Sequence, residues 1–190
     1  ISGCLVKTKE GRTKETEKRE RVDLSKLPNP YLAGVFDELI QNNPGISWNT
    51  TIETTRGCPF ACTFCVNSFR NAAYSGEVYL RQRTVPNIIE DLIDIKKTYK
   101  PKKFRFEDDV FAFNQKWLDE FKVEYRKHIN LPFHCYVTPS TAKDEVLKGL
   151  KDAGCESVSM GVQSGSEKIR TMMLHRKHTD ELIIAAAKRI

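Results

Sequence analysis

Residues 53 to 65 read ETTRGCPFACTFC and place Cys58, Cys62 and Cys65 within eight residues. The remaining cysteines, Cys4, Cys135 and Cys155, lie far off in sequence, so no fourth thiol follows the cluster. Three metal chemistries compete for such a set. A structural zinc ion wants four ligands, so Cys135, Cys155 or a histidine such as His134 would have to return to the loop. An electron-transfer iron–sulfur cluster takes four thiolates and keeps no reactive iron. Three thiolates on a [4Fe–4S] cube leave one iron without a protein ligand, open to a substrate or cofactor, as in catalytic rather than structural metal sites. Gly57 and Pro59 shape a tight loop able to wrap such a body.

The elements that must position these thiols belong to a chain of 190 residues, enough for one ordinary domain. A hydrophobic content of 39% beside 29% charged residues describes a soluble globular protein. No apolar run reaches the roughly 18 residues a membrane span needs. The opening ISGCLVKTKEGRTKETEKRER turns to charge too soon for a signal peptide. Cysteines without a secretory leader predict a reducing, cytoplasmic setting, with thiols used for metal or packing. The chain opens on Ile1 and stops at Ile190 inside a helical pattern, which predicts a piece of a longer protein. The net charge of +6 gathers in Lys7–Lys26 and in KKTYKPKKFR at 96–105. The first stretch reads as a solvated linker, the second as a helix end where the macrodipole favours cations. Such charge is a weak argument for a nucleic-acid partner.

Residues 1–27 predict a short strand, GCLVK, and then a poorly structured charged stretch; YLAGVFDELI at 31–40 carries a helical stripe. From residue 46 strands and helices alternate. ISWNTTIET (46–54), KFRFED (103–108), FHCYVT (133–138) and ESVSMGVQS (156–164) have strand character. VPNIIEDLIDIKKTYK forms a helix that tolerates Pro86 in its first turn. Asn114 caps QKWLDEFKVEYRKHI, whose Trp117, Leu118, Phe121 and Tyr125 make a buried stripe. Thr141 with Asp144, and Ser164 with Glu167, are spaced as capping boxes for two further helices, and Gly154 stands where a helix-ending glycine belongs. The alternation implies right-handed crossovers and a parallel sheet. Ligands of such sheets bind beyond the carboxyl ends of the strands, which selects residues 55–65, 107–111, 138–141 and 163–167.

The C-x3-C-x2-C spacing, with Phe64 before the last cysteine, resembles the signature of the radical S-adenosylmethionine superfamily. IETTRGCPFACTFC, FRFEDDVF, and AGCESVSMGVQSGSEKI followed by HRKHT are similar to its cobalamin-dependent branch, the relatives of magnesium-protoporphyrin ester cyclases and B12-dependent methylases. DLSKLPNPYLAGVFDEL resembles the segment that joins the cobalamin-binding domain to the radical core in that branch. The resemblance implies an α/β fold, a partial (β/α)6 TIM-type barrel stopping after about four βα units. Residues 1–45 would be linker and the end of an upstream cobalamin-type domain, and residues 46–190 the radical core.

By the same resemblance, Cys58, Cys62 and Cys65 ligate a [4Fe–4S] cluster whose open iron is chelated by S-adenosylmethionine. Reductive cleavage to a 5′-deoxyadenosyl radical would follow, with methyl transfer or cyclisation as the outcome. Cobalamin would be held by a domain outside this chain. The implied partners are a small-molecule or peptide substrate and an electron donor such as flavodoxin or ferredoxin. Phe64 would present its ring to the adenine. Asp108 and Asp109 occupy the place of the family's glycine-glycine-glutamate motif and face an ammonium in one reading, or cap the following turn in the other. Thr138, with Pro139 and Ser140, either bonds ribose or carboxylate oxygens or caps a helix. Gln163 points at the barrel mouth, beside Ser164. His175, Arg176 and His178 read as surface groups, though HRKHT raises Arg176; Cys4, Cys135 and Cys155 read as buried small residues. Glu53 and Arg56 are placed to pair. Two rival functions stand: a zinc-binding module whose basic linker contacts nucleic acid, and an RNA methylthiotransferase. Relatives of the latter kind carry extra N-terminal cysteines and an RNA-binding domain that these residues lack.

Overall fold

A computed structural model of the chain describes residues 4–17, 20–28, 49–74 and 80–190. The helix expected at 31–40 and the first residues of the strand expected at 46–54 lie outside them. The described strands are β1 (Leu5–Lys7), β2 (Thr13–Glu15), β3 (Asn49–Ile52), β4 (Thr55–Arg56), β5 (Arg81–Gln82), β6 (Lys103–Phe106), β7 (Phe133–Val137) and β8 (Cys155–Met160). The helices are α1 (Val66–Ala73), α2 (Val85–Tyr99), α3 (Gln115–His128), α4 (Asp144–Ala153) and α5 (Asp180–Arg189). Strands β3, β6, β7 and β8 form one sheet in that order, every pair parallel. Each strand is laid beside its predecessor after a helical crossover, which is the wall of a βα barrel, four strands of it.

Alternation decides which face of this wall is covered. Phe104, Phe106, Phe133, Cys135 and Val137 are buried, and they pack with apolar residues of α2, α3 and α4 in one core. Phe106 sits at its centre, with ring centroids 4.8 Å from Phe111, 5.2 Å from Phe133 and 5.7 Å from Phe121. Burying each such side chain contributes about 1.5–3 kcal/mol. The alternate positions are polar. Arg105 bonds Glu107 and the Tyr136 hydroxyl, and the His134 ring lies between the Ser157 and Ser159 hydroxyls at 2.9 and 3.2 Å.

Local chemistry sets most of the boundaries. Asn114 caps α3 by accepting from the Trp117 amide at 3.2 Å, and Pro86 occupies the first turn of α2. Gly154, with φ 106°, ends α4 in the left-handed region, as expected. Both capping boxes fail. Lys143 starts α4 without a side-chain bond, while the Thr141 hydroxyl accepts from the Thr138 amide at 2.9 Å in the preceding turn. Glu167 turns away to accept from the Asp180 amide at 2.8 Å, and Ser164 accepts from the Ser166 amide at 3.1 Å. The expected EKIRTMML helix forms over 167–173 but winds as a π-type turn at Ile169–Met173.

The strand expected in GCLVK forms as β1, but the stretch expected to be unstructured supplies its partner, β2. β1 and β2 pair antiparallel around Gly11 at φ 80°, with Thr8 donating to the Arg12 carbonyl at 2.8 Å. Further on, Ser25 accepts from the Thr84 amide at 3.3 Å and Leu24 is buried, which docks this segment on the start of α2.

Candidate functional site

The cysteine loop leaves the sheet at the carboxyl end of β3. Its root is fixed by Asp108, at the carboxyl end of β6. One oxygen of this buried carboxylate accepts from the Thr54 amide at 3.0 Å, the Thr54 hydroxyl at 2.7 Å and the Thr55 hydroxyl at 2.5 Å. Burial nevertheless outweighs these bonds and pushes its pKa up to about 6. Asp108 is thus committed to the protein, and of the two aspartates only Asp109 is exposed. Glu53 and Arg56 do pair, at 3.2 Å.

Gly57, at φ 101°, turns the chain into the loop, a conformation that disfavours any side chain. Asn71 then ties the loop from behind, donating to the carbonyls of Cys58 at 3.0 Å and Phe60 at 3.4 Å. Cys65 is the residue at the head of α1, where helix amides favour negative charge. The buried Asn67 donates to its sulfur at 3.7 Å. Cys62 is buried, and Cys58 and Cys65 are partly so. Burial, followed by smaller contributions that include Asp109 and the two other thiols, pushes the Cys58 thiol up to about 11.

The far end of the chain closes over this loop. Thr63 donates its amide to the Leu174 carbonyl at 3.2 Å and its hydroxyl to the Met173 carbonyl at 2.7 Å. Arg176 reaches the Cys62 sulfur at 3.7 Å and the Gly161 carbonyl, just past β8, at 2.8 Å. His178 is buried and meets Phe60 edge-on at 6.3 Å. These two residues are not surface groups, contrary to the sequence expectation. Arg170 makes the closure possible. Fully buried, it donates to the carbonyls of His178 at 3.0 Å and Ser164 at 2.6 Å and pairs with Asp180.

A polar cavity of about 410 Å³ opens beside the loop, lined among others by Glu53, Arg56, Arg70, Arg81, Glu107 and Asp109. It offers both signs of charge. Of the other sequence candidates, Phe64 is exposed on the loop, and Gln163 adopts φ 75° with its amide lying over Gly161. The Thr138 hydroxyl is engaged by Ser140 and Thr141 at 3.0 and 3.1 Å. Cys135 is buried, whereas Cys4 and Cys155 are only partly so; the Cys135 and Cys155 sulfurs lie 3.9 Å apart. Sequence reasoning missed Asn67, Asn71 and Arg170. The two asparagines carried a signal: weak helix formers four apart, hence on one face of α1.

Among the described residues, no three His, Cys, Asp or Glu side chains gather tightly enough for one metal ion, these cysteines included. Cys58, Cys62 and Cys65 share one turn, and the charges of Cys62 and Cys65 are among the lesser causes that raise the Cys58 thiol.

The family model of the radical SAM superfamily matches residues 52–190. The chain belongs to the radical S-adenosylmethionine superfamily. It is 29% identical over 119 residues to an uncharacterised methyltransferase of Pyrococcus horikoshii, covering 62% of this chain and 25% of that protein. It is 31% identical over 122 residues to bacteriochlorophyllide d C-8(2)-methyltransferase of Chlorobaculum tepidum, covering 60% of this chain and 26% of that one. The chain thus spans about a quarter of the length of the curated relatives it matches. Among solved structures, the radical S-adenosylmethionine methyltransferase TsrM of Kitasatospora setae, with tryptophan and a SAM analogue bound, superposes with a TM-score of 0.67 at 17% identity. That match covers 99% of this chain and 38% of TsrM. TsrM with cobalamin and a [4Fe–4S] cluster bound matches over 73% of this chain and 28% of TsrM, with a TM-score of 0.55 at 18% identity. At these identities the likeness is one of fold: this radical SAM chain is an α/β barrel segment.

Proposed function

We propose that this radical SAM chain is the cluster-binding and S-adenosylmethionine-binding part of a methyltransferase. Cys58, Cys62 and Cys65 would hold a [4Fe–4S] cluster, which when loaded supplies the electron that splits the sulfonium. The observation that carries the reading is the cysteine loop itself: three thiols on a Gly57 turn, braced by Asn71, with side-chain nitrogen donors at two of the sulfurs. The neighbouring cavity suits an amino acid moiety, because Arg56, Arg70 and Arg81 can face a carboxylate while Asp109 and Glu107 face an ammonium. Phe64 lies on the same loop and would stack on the adenine. Thr138, Gln163 and Ser164, at the ends of β7 and β8, would line the mouth. The methyltransferase names of the sequence relatives favour methyl transfer over cyclisation. Cobalamin, bound by TsrM, would be carried here by a domain outside this chain. A small-molecule or peptide substrate, a low-potential electron donor and a cytoplasmic setting complete the proposal.

Anaerobic reconstitution with iron and sulfide tests it. Iron and sulfide should load, and a strong reductant should release 5′-deoxyadenosine from S-adenosylmethionine. Serine at position 58, 62 or 65 should abolish that release and lower bound iron. A protein that takes up zinc but no iron, or serine variants that keep iron and cleavage, would reject the reading.

A further inference from the structure

Among the described residues two side-chain nitrogen donors reach the sulfurs of the cysteine loop, and only one of them carries charge. Asn67 approaches Cys65 from within α1. Arg176 approaches Cys62 from the other end of the chain, 114 residues away. Its guanidinium is not free to wander: one arm is held by the Gly161 carbonyl at 2.8 Å, and its backbone amide donates to the Arg170 carbonyl at 2.8 Å. Its Nε is buried and has no partner among the described residues. A buried donor left unpaired is costly, and at a ligand loop it points to an acceptor that the polypeptide does not provide. Gly161 keeps the approach open, since its Cα hydrogens leave room between the guanidinium and the Gln163 amide.

We propose that Arg176 is a positioning residue for the cluster, holding the Cys62 sulfur through a charged N–H···S contact and making the cluster easier to reduce. The inference rests on the cluster reading given above. The physics is direct. One-electron reduction adds negative charge to the cluster and its thiolates, and a fixed cation beside a ligand sulfur stabilises the reduced form more than the oxidised one. Hydrogen bonding to the sulfurs and net charge are the levers that set such potentials. Lysine at 176 would keep the charge and lose the fork that bonds sulfur and Gly161 together. Glutamine would lose the charge.

The test is the reduction potential of the reconstituted full-length protein, read by spectroscopic titration against mediators, with iron content measured on the same samples. At a poise where wild type is half reduced, Arg176→Gln should lower the ratio of reduced to oxidised cluster about tenfold, equal to 59 mV for one electron. Arg176→Lys should fall between the two. Asn67→Ala, which removes a neutral donor, should move the ratio less than Arg176→Gln. Wild type that binds no iron would defeat the cluster reading itself. Wild type that loads, with Arg176→Gln within twofold of it, would overturn this inference alone. Should Arg176→Gln fail to load, Arg176→Lys decides: a ratio indistinguishable from wild type overturns the fork's role, and a lowered one supports it.

Discussion

Replacing Asp108 by asparagine should flatten the pH dependence of stability between about pH 4 and 7. The carboxylate is 2% exposed, one of its oxygens takes three hydrogen bonds, and the other is buried with no partner among the described residues. Burial dominates and moves the pKa from 3.8 to about 6. A carboxyl raised on folding binds its proton more tightly in the native state. Stability is then greatest below the unfolded pKa and falls as pH rises through the folded one. The gap from 3.8 to about 6 is worth about 3 kcal/mol, at 1.36 kcal/mol for each pH unit. In a protein of this size that is about 6–12 °C in melting temperature. Thermal unfolding followed by circular dichroism at several pH values, in wild type and Asp108→Asn, isolates the contribution. Asp91, which burial also raises, titrates in both proteins and cancels in the difference. The amide leaves one buried donor unpaired, a pH-independent cost of about 1–3 kcal/mol, so the slope and not the midpoint carries the information. Curves that run parallel within about 1 kcal/mol would show that Asp108 is not held as described.

Arg170→Ala should cost about 1–3 kcal/mol in denaturant unfolding, because it strands the carbonyls of His178 and Ser164 while the more exposed Asp180 carboxylate turns to water. It should also expose residues 161–180 to protease, and unchanged cleavage there would refute the closure. Gly149→Ala should destabilise although alanine favours helices by about 1 kcal/mol, since the new Cβ would stand 2.9 Å from Leu118 Cδ2 in the core. A rise in melting temperature would mean that α3 and α4 pack less closely than they do here.

The periodic parts of the fold were legible because burial has a period. Phe104, Phe106 and Phe133 alternate as a half-covered strand must, and Ile88, Leu92 and Ile95 recur as a helix face must. Asn114 was legible as a cap because its partner, Trp117, is three residues away. The failed caps show where local patterns stop. Ser164 and Glu167 have the right spacing, but the Asp180 amide, thirteen residues on, competes for Glu167 and wins. Thr141 is spent inside its own turn before α4 begins. Spacing alone cannot rank such competitors.

The same limit divides the candidate site. The C-x3-C-x2-C spacing names the sulfur atoms, since one short loop must carry all three. It says nothing of the groups that hold those sulfurs. Asn67 and Asn71 stand four apart on α1, on one face of it, and so lie within reach of a local argument. Arg176 does not, for it arrives through a buried arginine, a π-type turn and a carbonyl beyond β8, each of which exists only once the sheet has formed. Ligand identity is therefore local in this chain, while control over the ligands is tertiary. A substitution far from the cysteines in sequence, at Arg170 or Gly161, should accordingly disturb the sulfur at Cys62 more than a neighbour such as Ala61 would, whose side chain is exposed.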